Sequence, residues 1–167
     1  MAITRIGGAN AISGTIPAAN IATLTSSNFP AGSIVQVTDT TVISSEQILS
    51  SSSYADLTSV TVSITPNSTS NKILLIANIN AKYQDATAGY GLKFFRDTTN
   101  IFTTLTDYAV IRKGTSTMRD NQTFYFLDSP SSTSSITYKV QVATHTNSEV
   151  RFHNSAQSII YATEIKG

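Results

Sequence analysis

A period-two alternation of apolar and polar residues is the feature that most constrains what this chain can fold into. It is clearest at residues 136–142, where Ile, Tyr, Val and Val alternate with Thr, Lys and Gln. It recurs at residues 60–64, where Val60, Val62 and Ile64 alternate with Thr and Ser. Successive side chains of a β-strand point to opposite faces, so this period predicts half-buried strands.

Residues 72–81 follow a turn sequence, Pro66-Asn67-Ser68, and are apolar nearly throughout. Pro, Asn and Ser are typical turn residues, so the chain reverses direction here. A continuous apolar run of this length in a strand-rich setting predicts a central strand buried on both faces.

Further strand-like runs, separated by Gly-, Asp-, Asn- and Ser-containing turns, lie at 33–42, 90–96, 101–102, 108–112, 123–127, 150–153 and 158–165. No stretch after residue 30 carries a helical i, i+3, i+4, i+7 pattern. Eight or nine short strands with a turn about every ten residues predict an all-β fold: one antiparallel β-sandwich over residues 33–167. A jelly roll is the preferred arrangement because the strand count fits.

Charge is sparse along the chain. Of 167 residues, 11 are basic and 10 acidic, and together they make up 13%, roughly half the usual share. Ser and Thr, 48 residues in all, supply the polarity instead. The chain has no basic stripe of the kind that would predict nucleic-acid binding, and no run of 18 apolar residues that would predict a membrane span. The absence of cysteine excludes disulfides and thiolate metal sites. A weakly charged surface suits a protein packed beside copies of itself, and it also suits any sandwich with polar outer faces.

Residues 1–32 differ from the rest, with Arg5 as their one charged side chain. Their larger aliphatic residues stand singly among Gly, Ala, Ser, Thr and Asn. We interpret this segment as an extended N-terminal arm for assembly whose side chains insert into shallow pockets of another protein. The alternative is a tail that packs on its own domain. The predicted partner-binding residues are Ile3, Arg5, Ile6, Ile12, Ile16, Ile21 and Leu24.

Residues with catalytic or metal-binding potential are few. His145 and His153 flank a predicted turn, and with Glu149 they offer a ligand set that zinc accepts. Their spacing matches no established motif, so surface or partly buried strand histidines are the preferred interpretation. The sequence therefore predicts no metal and no cofactor.

Hydrolytic chemistry is also weakly supported. There is no G-x-S-x-G elbow. A glycosidase-like carboxylate pair would have to come from Asp85, Asp97, Asp107, Asp120 and Asp128, all of which lie at predicted strand ends or turns. Aspartate is favoured there for local hydrogen bonding. The sequence predicts no enzyme, with a small β-scaffold hydrolase or lyase as the remaining enzymatic alternative.

Several stretches resemble structural proteins of tailed bacteriophages, especially marine and cyanobacterial ones. The opening MAITRIGGANAISGTIPAANI is similar to their N-termini. The stretch SSSSYADLTSVTVSITPNSTSNKILLIANINA resembles a recurrent jelly-roll-type module of these virion proteins, and GLKFFRDTTNI and SIIYATEIKG fit the same module. The resemblance implies a non-enzymatic, homotrimeric virion component, and the charge and hydropathy of the chain predict no nucleic-acid and no membrane partner.

The short chain, with an arm and no repeated shaft, favours a capsid decoration (cement) protein on the exterior of the shell, bound to the major capsid protein or another virion protein. The alternative is a tail-fibre or head-fibre tip that binds a host receptor or glycan. Such a tip would use residues 82–89 and 112–121, with contacts offered by Tyr83, Arg112, Lys113 and Arg119.

Overall fold

The structure is a computed structural model and describes residues 28–40, 45–104, 109–114 and 117–167. Within these residues the chain forms eleven strands and one short 3-10 helix, His145–Asn147. The strands are β1 (Ile34–Asp39), β2 (Gln47–Leu49), β3 (Ala55–Ile64), β4 (Lys72–Tyr83), β5 (Thr87–Arg96), β6 (Thr99–Thr103), β7 (Val110–Lys113), β8 (Met118–Asp128), β9 (Ile136–Thr144), β10 (Val150–Phe152) and β11 (Ile159–Ile165).

These strands form two antiparallel sheets. In the first sheet, β4 pairs with β8 on one side and with both β11 and β10 on the other, and β1 and β2 extend that other side. In the second sheet the order is β3-β9-β5, with β6 and β7 both pairing with the far edge of β5. Chain neighbours β3 and β4, or β8 and β9, lie in different sheets, so the chain repeatedly crosses the sandwich. This arrangement confirms the predicted all-β sandwich and its jelly-roll preference.

The core lies between the sheets and consists of alternate residues from each strand. Along β4 the inward side chains from Ile73 to Tyr83 are all buried. The facing second sheet contributes Tyr90, Leu92, Phe94, Tyr138 and Val140, each with no exposed surface. Tyr90 packs edge-on against Phe152 of the first sheet, with ring centroids 5.2 Å apart. Each fully buried large apolar side chain stabilises the fold by roughly 1.5–3 kcal/mol before ordering costs.

Strand β4 changes partner along one side. It pairs with β11 as far as Asn78 and with β10 from Ala81 onward, which leaves Asn80 between the two ladders. The turn that joins β10 to β11 fills this gap. Asn80 N–H donates to Ser158 Oγ at 2.9 Å, and Asn80 O accepts from His153 N–H at 3.2 Å. The junction therefore keeps the buried backbone groups of Asn80 paired.

The predicted runs at 60–64, 72–81 and 136–142 are strands, as expected, but several strands, among them β3, β5, β6 and β8, begin earlier than predicted, and one strand was missed. Strand β8 begins at Met118 and not near residue 123, because it pairs with β4 over its whole length. Its first half, MRDNQT, is polar and carries no apolar alternation. The three-residue β2 was not predicted, and it exists through its pairing with β10. In both cases backbone hydrogen bonds to a neighbouring strand, and not the local sequence pattern, define where the strand lies.

Candidate interaction surface

The outer face of β4 departs from the sequence prediction. Residues 72–81 were expected to be buried on both faces, but on the outer face only Asn80 is. Leu74 and Ile76 point away from the core and are half-buried. The prediction was wrong because the second sheet covers one face of β4, whereas the described residues leave Leu74 and Ile76 on the other face half exposed.

Leu74 and Ile76 lie at the centre of a wider apolar area. Across the ladders, Leu74 is flanked by Thr163 and Leu127, and Ile76 by Tyr161 and Tyr125. We call this area, which spans β1, β11, β4 and β8, the apolar band; its members are Ile34, Val37, Leu74, Ile76, Tyr125, Leu127, Tyr161 and Ile165. Tyr125 is 74% exposed, Ile34 62% and Val37 55%. Large apolar side chains clustered in this way mark an interaction site more often than scattered ones do.

The same outer face becomes polar further along β4 and β8. Asn78 Nδ2 donates to Thr123 Oγ1 at 3.0 Å, and Asn80 Nδ2 donates to Asn121 Oδ1 at 2.8 Å. Arg119 then reaches Asn154 Oδ1 at 2.8 Å. The apolar band therefore has a defined boundary on its own sheet, formed by polar side chains that hydrogen-bond across the β4–β8 ladder.

The outer face of the second sheet is covered by polar pairs. Asp56 accepts from Lys139 Nζ at 2.9 Å and from Gln141 Nε2 at 2.7 Å. The hydrogen bond from Lys139, followed by that from Gln141, holds the pKa of Asp56 below its usual value. Lys93 Nζ lies 3.9 Å from the ring centroid of Tyr54, within cation–π range. The polar side chains named here therefore find their partners on the same face of the sheet.

Strand β8, at the side of the apolar band, also has an open edge. It pairs with β4 without a register shift from Met118 to Asp128, and its other edge has no strand partner among the described residues. Two other strands at the sheet edges are short or interrupted by a register shift. Strand β1 has six residues and a register shift between Ile34 and Gln36, and β3 has one between Asp56 and Thr61. A long, unbroken, partly apolar edge strand is a template for strand pairing.

Glu164 lies on the inner side of β11 and is completely buried. Its carboxylate accepts from Asn67 N–H (2.7 Å), Asn67 Nδ2 (2.8 Å), Asn71 Nδ2 (2.6 Å) and Gln36 Nε2 (2.7 Å). Burial opposes ionisation, but these hydrogen bonds outweigh it and hold the pKa of Glu164 below its usual value. Glu164 thereby ties the 66–71 turn to β1 and β11, which is a structural role.

His153 is likewise an interior residue. Burial lowers its pKa to about 4, so the ring is neutral at pH 7. Its Nδ1 lies 2.7 Å from Ser158 Oγ. Because Ser158 Oγ already accepts from Asn80 N–H, its own hydrogen is available to donate to Nδ1. The hydrogen bond between His153 Nδ1 and Ser158 Oγ therefore fixes the β10–β11 turn, and the tautomer of the ring sets which of the two atoms donates.

The candidate acids are also engaged in local contacts. Asp128 pairs with Arg96 at 3.1 Å and accepts from Tyr138 Oη at 2.7 Å. Asp97 accepts from Thr137 N–H at 2.9 Å, and Asp85 accepts from Glu149 N–H at 2.7 Å. Asp120 pairs with Arg112 and accepts from Gln122. Asp107 lies outside the described residues.

The fibre-tip alternative loses one of its proposed contacts. Tyr83 is 1% exposed and belongs to the end of β4, and burial raises the pKa of its phenol to about 12. Arg112 pairs with Asp120, and Arg119 contacts Asn154. The expectation that Tyr83 offers a surface contact was wrong, because its apolar neighbours on β4 and β5 draw its ring into the core. The side chain of Lys113 lies outside the described part of the chain.

The predicted arm residues Ile3, Arg5, Ile6, Ile12, Ile16, Ile21 and Leu24 all lie outside the described residues. Of the predicted arm, only residues 28–32 are described, and Gly32 N–H donates to Lys166 O at 2.8 Å. Among the described residues there is no group of three side chains suited to hold a metal ion, and no helix there is long and apolar enough to cross a membrane.

No family model matches the chain, and no curated protein does. Two solved structures share its fold. A chain in the structure of infectious bursal disease virus, Gx strain, superposes with a TM-score of 0.52 at 11% identity, covering 79% of this chain and 33% of that one. A chain of the Gt strain gives 0.51 at 10% identity, with 82% and 34% covered. This chain spans about a third of the length of those chains. Identity this low establishes the fold alone: an all-β jelly-roll sandwich of a type that occurs in a virus.

Proposed function

We propose that this protein is a non-enzymatic structural component of a bacteriophage virion, and specifically a homotrimeric decoration protein on the capsid exterior. The observation that carries the proposal is the jelly-roll sandwich, which is shared with chains from virus structures. The resemblance of the N-terminus and of residues 50–81 to phage virion proteins supports the narrower assignment.

The state of the reactive side chains supports a non-enzymatic role. His153 is buried and neutral, and Asp128 pairs with Arg96 and accepts a hydrogen bond from Tyr138 Oη. Glu164 is enclosed by four hydrogen bonds from three residues. Each of these groups holds strands and turns together. This structural role accounts for its burial, and no catalytic role is needed to explain it.

Attachment to the shell is assigned to the N-terminal arm. Its isolated isoleucines suit shallow pockets, and each one fully buried would contribute on the order of 1.5–3 kcal/mol before ordering costs. Once one arm of a trimer is bound, the other two arms are held at a high effective concentration near their own sites. Three weak attachments would therefore give a high overall affinity. A trimer at a local threefold position would connect neighbouring capsid subunits.

The copy number of the chain in purified virions tests the assignment. Quantitative mass spectrometry against the major capsid protein should give a ratio near stoichiometric for a decoration protein. A few copies per particle would contradict capsid decoration and favour the tail-fibre or head-fibre tip. Absence from the particle would overturn the virion assignment itself.

Deletion of the arm tests the anchoring step. The deletion should end at residue 27, because Phe29 O accepts from Lys166 Nζ and Gly32 also contacts Lys166. The truncated protein is expected to remain folded by circular dichroism and to fail to bind undecorated capsids in a sedimentation assay. Normal capsid binding by the truncated protein would show that the arm is not the anchor.

A further inference from the structure

We infer that the apolar band and the open edge of β8 form the contact between neighbouring copies of this chain. The inference deepens the proposed function by assigning the surface through which copies associate. It concerns the described residues of the sandwich and is separate from the binding of the shell that is proposed for the N-terminal arm.

The first observation is the mismatch between the strand and its surroundings. Leu74 and Ile76 belong to an apolar run that is central in its sheet, yet their outward side chains are only half covered. Tyr125 and Leu127 of the neighbouring β8 extend this surface and are 74% and 47% exposed. Covering these groups would remove a large apolar area from water, which favours association.

The second observation is the position of the open strand edge. Tyr125 and Leu127 lie on β8 itself, so the apolar band continues to the edge whose backbone groups lack a strand partner among the described residues. Toward its C-terminal end this edge reads Phe-Tyr-Phe-Leu, and β8 contains no Pro and no bulge. Apolar packing and backbone pairing are therefore offered by one continuous surface.

Charge favours a second copy as the occupant. No member of the apolar band is charged, and the rim carries one acid, Asp39, beside Tyr161 and one base, Lys72, beside Ile165. These two lie at diagonally opposite corners of the band, so each copy presents both signs. The whole chain has a net charge of +1, which gives little repulsion between copies.

Size is consistent with the core of an interface. Four strands spaced about 4.8 Å apart, over three rows of side chains, give the band an area on the order of 300 Å². A stable interface buries about 800 Å² per partner, with an apolar centre and a polar rim. The rows of Asn78, Thr123 and Asn121, together with the β8 edge, would supply the remainder.

Sedimentation velocity on the full-length purified chain, from about 1 to 200 μM, tests the inference. The wild-type chain should form a dimer or trimer. Tyr125→Lys and Leu127→Lys should raise its dissociation constant at least about tenfold, because each places an unpaired charge in the contact. Thr137→Lys, on the exposed face of the second sheet, is the matched control and should leave the association unchanged.

Folding is checked by circular dichroism. Because Tyr125 is largely exposed, Tyr125→Ser provides a second test that adds no charge, and it should also weaken association. Hydrogen exchange gives an independent readout: amides of β8 that do not pair with β4 should become protected as the concentration of the wild-type chain rises.

Three results would overturn the inference: a wild-type chain that is monomeric throughout, an oligomer unaffected by Tyr125→Lys and Leu127→Lys, or an oligomer equally weakened by Thr137→Lys. A monomeric chain whose Tyr125→Lys variant loses binding to virions would assign the band to another virion protein. Because the measurement uses purified protein, its outcome is independent of the copy number that tests the virion assignment.

Discussion

The two faces of the first sheet differ in how completely their apolar side chains are buried. On the inner face, Ile73 and Leu75 have no exposed surface, and Glu164 and His153 are held by hydrogen bonds. On the outer face, Leu74 and Ile76 are adjacent in sequence to those core residues and equally apolar, yet they are only half covered. The buried side chains of the inner face therefore hold the domain together, whereas the outer face has apolar area that the described residues leave exposed.

This comparison separates two kinds of effect. Substitutions on the inner face should change the free energy of unfolding and leave association of correctly folded protein unchanged. Substitutions in the apolar band should change association and hardly affect the stability of the monomer. Each of the following predictions tests that separation.

Glu164→Gln should give the largest loss of stability. The carboxylate accepts four hydrogen bonds, and an amide would turn its NH₂ group toward donors such as Gln36 Nε2 and Asn67 Nδ2. We expect a loss of roughly 2–4 kcal/mol, since buried donors are left unsatisfied. Urea unfolding of dilute protein measures it. A loss below about 1 kcal/mol would contradict the structural role of Glu164.

His153 should make stability depend on pH. Its pKa is about 4 in the folded protein and about 6.5 in the unfolded chain, so between these values the unfolded chain binds the additional proton. Stability is therefore fully present above about pH 6.5 and falls by roughly 2–3 kcal/mol as the pH decreases to about 4.

Unfolding curves of wild type and His153→Gln between pH 7 and pH 4 measure this effect. The glutamine variant retains a polar side chain but does not titrate, so its stability should change less over this window. Parallel pH profiles for the two proteins would show that His153 is not the titrating group.

Placing the same Val→Thr substitution on each face compares the two faces most directly, and its expected changes in stability are the smallest of these predictions. Val150 of β10 is completely buried on the inner face, whereas Val37 is 55% exposed in the apolar band. Val150→Thr should cost about 1–2 kcal/mol, because its hydroxyl enters the core, and Val37→Thr should cost less than about 0.5 kcal/mol. Thermal unfolding at low concentration measures both. Equal losses would mean that the outer face is covered within the monomer.

Much of the fold could be predicted from the sequence because strand periodicity is a local property. The alternation at residues 60–64 and 136–142, and the turn at Pro66, identified strands and a reversal correctly. The polar start of β8 and the three-residue β2 could not be predicted in this way, since backbone pairing with β4 and β10 defines them. Similarly, nothing in the local sequence of Tyr83 distinguishes a core residue from an exposed one.

By itself the sequence determined the all-β class, the low charge and the apolar character of residues 72–81. Only the tertiary structure decided which face of β4 is covered, where β8 ends the sheet, and that Leu74, Tyr125 and Tyr161 lie side by side. The physical reason is that burial depends on which strands become neighbours, and those neighbours are distant in the chain. Periodicity assigns a side chain to a face, and packing alone determines what lies against that face.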